Sequence, residues 1–160
     1  MIYTRAMATR TLFLFLAFLR IAAGLSLLLS GLTKQSWLAN PALDQKLAAF
    51  SQHPANALVA KYLALVTPHH SLFARLVVLG ELGLGAFLIL GFFTPLAALL
   101  AFFMVLNFQL ASSAMFSLSY LRGEGGLVYL LVYLVLFFGR AGTALGLDGV
   151  IARSGQKPPG

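Results

Sequence analysis

An all-α fold, an integral membrane four-helix bundle with an amphipathic helical segment between its first two spans, is what this sequence predicts. Three observations carry that reading. The 160 residues are 60% hydrophobic and 9% charged, with a mean hydropathy of +0.91, far beyond the balance of a soluble domain. Four apolar stretches, at about residues 11–32, 72–93, 95–116 and 125–140, approach the roughly 20 residues needed to cross a bilayer core. Between the first two, residues 41–67 show a different, two-sided pattern.

The chain opens on a short basic segment, residues 1–10, carrying Arg5 and Arg10. The apolar run from Thr11 is too long for the h-region of a signal peptide and lacks a convincing small-residue cleavage site, so it reads as the first span of the mature protein. Its polar and small positions, Ala17, Arg20, Ala23, Gly24, Ser30, Gly31 and Lys34, fall at helical spacing on one stripe. Small residues on one face let helices approach closely in a membrane. Arg20 therefore points at protein.

From Thr33 to Ser71 the sequence is punctuated by Asn40-Pro41, His53-Pro54 and Pro68, which divide it into two short helical patterns. In the second, Ala55, Leu58, Val59, Tyr62, Leu63 and Val66 share a face, so this helix lies on the membrane surface or caps the bundle. Lys34, Trp37, His69 and His70 are read as interfacial, at the depth where amphipathic side chains anchor.

The second span carries Glu81 at its middle. A charge at that depth is costly, so it faces the bundle interior and takes a partner. The turn from Gly91 to Pro95 is short enough to force antiparallel neighbours, and Pro95 suits an early helical position. The third span offers Asn107 and Gln109, and the fourth carries Tyr129 and Tyr133 on its distinct face. The fourth stretch is short unless Arg122, Glu124 and Arg140 snorkel from its ends. Residues 142–160, Gly-rich and ending in Lys157-Pro158-Pro159, read as a partly disordered tail.

The candidate site is a polar cluster of Arg20, Glu81 and Asn107 at common depth, with Tyr129 and Tyr133 bonding to it or lining a flat apolar pocket. Such a centre can bind a quinone headgroup or relay protons; the alternative is a buried ion pair that fixes helix register. No metal site is predicted: His53, His69 and His70 all fall outside the spans, and the four acids show no ligand spacing. The absence of cysteine excludes disulfides and thiol relays. The net charge of +7 does not indicate nucleic acid, because the basic residues are scattered singly. Both termini fall on one side, assigned to the cytoplasm because the leading segment is purely basic, although the positive residues divide evenly between the two sides.

These residues carry a family resemblance. LRIAAGLSLLLSGLTK at Leu19–Lys34, Asn40-Pro41, HHSLFARLVVLGELGLGAFLILGFFTPLAAL at His69–Leu99, and a fourth helix closing in FFGRAGTALGLDG resemble the DoxX/DoxD-like membrane proteins. That family includes the small subunit of archaeal thiosulfate:quinone oxidoreductase. Where members often show Gly-Pro-Gly followed closely by Ser-Leu-Asp, this chain has Gly139-Arg140-Ala141-Gly142 and reaches Leu147-Asp148 only after extra residues. The resemblance implies a bacterial inner-membrane subunit of a quinone-linked redox complex. Such a subunit would be accessory, contacting quinone or lipid near Arg20, Glu81 and Tyr133, with no covalently bound cofactor. A structural or assembly subunit and a small proton-coupled transporter are the alternatives.

Overall fold

The computed structural model describes residues 2–122 and 126–154. Every regular element in them is helical. The chain runs α1 (Ile2–Thr33), α2 (Leu43–Gln52), α3 (Ala57–Val66), α4 (His70–Leu90), α5 (Thr94–Ala111), α6 (Leu118–Leu121), α7 (Leu127–Phe138) and α8 (Leu147–Ser154). The expected start of the fourth span near residue 125, Glu124 and residues 155–160 lie outside the described residues.

Among the described residues, three helical runs are long and apolar enough to cross a membrane: Arg10–Thr33, Ala57–Leu90 and Thr94–Ala111. The chain is an integral membrane protein. The second run is longer than expected because a 3-10 turn at Thr67–His69 joins α3 to α4 with little break, Pro68 sitting in its first turn. Pro is tolerated there because its missing N–H has no helical partner in any case. The fourth apolar helix, α7, has 12 residues, about 18 Å at 1.5 Å per residue, and does not by itself reach across a bilayer core.

α1 and α4 form the closest helix pair, and their glycines explain it. A β-carbon at Gly24 would stand 2.8 Å from the Gly85 carbonyl oxygen, and one at Gly85 2.8 Å from the Gly24 carbonyl oxygen. Only glycine at both positions lets the backbones meet, and close backbone approach is what holds membrane helices together when lipid offers the side chains an equally apolar solvent. The contacts fix an antiparallel register: Arg20 lies beside Gly91, Gly24 beside Gly85, and Gly31 beside Glu81 and Leu82.

Two cores result. One joins α1, α4, α5 and α7 through Ala23, Leu27, Leu88, Ala98, Tyr133 and Leu136. The other seats α2 and α3 on α4 and the end of α5 through Leu43, Leu47, Val59, Leu63, Ala74 and Ala111. The segment between the first two spans therefore caps the bundle, with Asn56 capping α3 by accepting from the Val59 N–H at 3.0 Å. Of the apolar face expected on α3, Val59, Leu63 and Val66 are buried, whereas Leu58 turns outward at 65% exposure. Its outward neighbour Leu65, at 70%, shows the reason: α3 is apolar on both sides, one packed on α2 and the end of α5 and one left free.

Residues 142–154 fold onto the bundle instead of trailing as a tail. Ala141, Gly142 and Gly149 are buried, and α8 is tied back by the Asp148 N–H donating to the Gly91 carbonyl at 2.9 Å.

Candidate functional site

The expected cluster of Arg20, Glu81 and Asn107 does not form. The α1–α4 register sets Arg20 against Gly91 and Glu81 against Gly31, so the two charges sit at different levels, some ten residues or about 15 Å apart along α4. Each has its own partners.

At the lower level, Glu81 is paired with Lys34. The Lys34 Nζ donates to Glu81 Oε1 at 2.5 Å and to Ser30 Oγ at 2.8 Å, and Ser30 Oγ donates to the same carboxylate oxygen at 3.0 Å. The Lys34 ammonium also stands 5.7 Å from the centre of the Phe108 ring, in range for a cation–π contact. Lys34, directly after the last residue of the first span, is therefore the counter-charge to the buried acid. Ser30, Gly31 and Lys34 lay on the stripe that pointed Arg20 inward, so the signal was present in the spacing. Glu81 Oε2 keeps no hydrogen-bond partner. Tyr133, 1% exposed, lies within electrostatic reach of Glu81; Tyr129, half exposed, faces outward.

At the other level, Arg20 is fully buried where α4 turns into α5. Its Nη2 donates to the Leu145 carbonyl at 3.0 Å, while Nε and Nη1 are unpaired. The guanidinium is wedged between Gly91 and Gly146, where a β-carbon on either glycine would collide with Nη1. Asp148 is the acidic group that acts on it electrostatically. The Asp148 carboxylate accepts from the backbone N–H of Phe93 at 2.7 Å and of Thr94 at 2.9 Å. It thus caps the start of α5 from a distant helix, where free N–H groups and the helix dipole favour an anion. Asp148 sits in the corner where the sequence departs from the family pattern, and the extra residues before it form the loop that carries Leu145 to Arg20. Replacing Asp148 by alanine is expected to cost about 1 kcal/mol, the usual worth of a partly exposed cap, and to loosen residues 142–154 from the bundle. Thermal unfolding in detergent with limited proteolysis measures both.

Asn107 belongs to neither centre. Its Nδ2 donates to the Tyr62 hydroxyl at 2.6 Å, joining α5 to α3 at the wall of a groove of about 280 Å³ between α4 and α5. Phe73, Val77, Phe103, Met104 and Phe108 line it. Gln109, by contrast, is buried and ties α5 to the following turns through the Tyr120 hydroxyl and the Gly126 carbonyl.

Among the residues expected at the interface, Trp37 is half-buried with the Lys46 Nζ 5.3 Å from its ring centre. His69 is exposed, and His70 Nδ1 lies 3.1 Å from the Thr67 carbonyl at the start of α4. Among the described residues no three His, Asp or Glu side chains gather as a metal-binding group.

A family model described as DoxX matches residues 15–114, which takes in most of α1 and all of α2 to α5, and hence Arg20, Lys34, Glu81 and Asn107. Neither curated proteins nor solved structures gave a match.

Proposed function

The chain belongs to the DoxX family, and we propose that it serves as an accessory subunit of a quinone-linked redox complex in a bacterial inner membrane, with its termini cytoplasmic. It contacts quinone or lipid without carrying a redox cofactor of its own, alongside protein subunits that do. The observation that carries this reading is the groove between α4 and α5. Its walls are aromatic and apolar, from Phe73, Phe103, Met104 and Phe108, and its polar edge is Asn107, held in place by its hydrogen bond to Tyr62 on α3. A flat ring with carbonyl oxygens needs that combination: apolar faces to lie against and a few placed donors to orient it. Asn107 has a second amide hydrogen free for such an oxygen once the first is given to Tyr62.

On this reading the quinone contact lies away from Arg20, Glu81 and Tyr133. Arg20 and Tyr133 are sealed in protein, and Glu81 is held by Lys34. That ion pair also weighs against a proton-coupled transporter, whose working acid has to be released to take up a proton.

Gentle extraction from the native membrane followed by quinone analysis tests the proposal. Co-purified quinone is expected, with several-fold less in an Asn107→Leu, Tyr62→Phe double variant. Equal quinone in the two preparations, or none in either, sinks it.

A further inference from the structure

Two grooves on the terminal side of the bundle run along either flank of Leu145. One, of about 310 Å³, lies between α1 and the C-terminal segment and is lined by Arg10, Phe13, Leu14 and Arg153. The other, of about 410 Å³, is lined by Leu90, Leu147, Val150 and the same Arg153. Both volumes fall in the range of about 300–1,000 Å³ typical of ligand pockets. Leu145 stands between them 68% exposed, in a left-handed conformation at φ 51°. A leucine rarely adopts that conformation. Here its carbonyl is drawn inward to accept from buried Arg20, which leaves the side chain projecting as a ridge.

Among the described residues the grooves carry charge of one sign: Arg10 and Arg153 both border the smaller groove, and no described carboxylate lines either groove. Asp148, the nearby acid, lines a separate groove with Pro95 and Arg140 and gives its oxygens to the Phe93 and Thr94 N–H groups. Helix α8 adds exposed Leu147, Val150 and Ile151 with Arg153 in its last turn. That is the make-up of a helix lying in a membrane interface.

We propose that this face is a binding site for an anionic phospholipid of the leaflet on the side of the termini. Its phosphate lies between Arg10 and Arg153, and its two acyl chains follow the grooves on either side of Leu145. Basic pockets at helix ends recognise anionic headgroups in this way. A zwitterionic lipid brings its own cation to the guanidinium groups, and free phosphate leaves the apolar walls unused.

Native mass spectrometry of the detergent-purified protein with added phosphatidylglycerol or phosphatidylcholine reads the site directly. Phosphatidylglycerol is expected to be retained about thirtyfold better, from a factor of roughly five for each of the two interfacial arginines. An Arg10→Gln, Arg153→Gln variant loses the preference, while Arg140→Gln, exposed on the same side, keeps it. Equal binding of the two lipids, an equal loss in Arg140→Gln, or displacement of phosphatidylglycerol by inorganic phosphate overturns the proposal.

Discussion

Replacing Lys34 by methionine is expected to destabilise the protein by about 3–5 kcal/mol, the cost of leaving one member of a buried ion pair without its partner. The Glu81 side chain is 6% exposed. Without Lys34 its remaining hydrogen-bond partner is the Ser30 hydroxyl, too little for a carboxylate shielded from water. The reverse change, Glu81→Leu, is expected to cost less. Lys34 is 21% exposed, retains Phe108 and Ser30, and has a long stem with which to turn its ammonium outward. The double variant is expected to recover most of the loss, because a well-packed apolar pair is often as stable as a buried ion pair. Thermal unfolding of all four proteins in one detergent closes the cycle. A coupling between the two positions below about 0.5 kcal/mol, the scatter expected of independent sites, means that the pair contributes nothing as a pair.

The composition was enough to declare a helical membrane protein, and the small-residue stripe on α1 was enough to say which side of it faces protein. What the stripe does not contain is register. Two antiparallel helices can slide by a turn with little change in their own sequences, and each turn moves a side chain about 5.4 Å. Arg20 and Glu81 were legible as buried charges, but their partners depended on how far α1 slides along α4. The Gly24–Gly85 contact settles that slide in favour of Lys34.

The partner of Lys34 was hidden because charged residues at the ends of spans ordinarily reach for the interface, whereas here its ammonium turns back to Glu81 just before a 3-10 turn at Gln35–Leu38. Asp148 was hidden for a different reason. Its neighbourhood of glycines, and the prolines beyond, has the composition of a tail, yet glycine is what the crowded contacts with Arg20, Thr94 and Thr143 require at Gly142, Gly146 and Gly149. A glycine-rich stretch is ambiguous in sequence between loose chain and chain packed too closely for side chains.

Gly91 carries the second large effect. It ends α4 in a left-handed conformation, φ 65°, and it is the surface against which Arg20 is wedged. Valine there is expected to cost about 3 kcal/mol or more, from two separable sources. A β-branched residue in the left-handed region is strained by roughly 1–3 kcal/mol. Its side chain also meets the buried guanidinium and the Gly146 backbone, and overpacking of this kind costs roughly another 1–3 kcal/mol. Arg20 cannot yield easily, being fully buried and hydrogen-bonded to Leu145. Asparagine at the same position tolerates the conformation but keeps a β-carbon, so it should show the steric loss alone, about half of the valine effect. Alanine at Gly83, where an added β-carbon has nothing within 4 Å, should be neutral or gain up to about 1 kcal/mol from helix propensity. Unfolding temperatures ranked Gly83→Ala, then Gly91→Asn, then Gly91→Val locate the constraint at the Arg20 contact. If Gly91→Asn matches the native protein, the guanidinium has room to move, and the wedge between Gly91 and Gly146 does not hold the C-terminal segment in place.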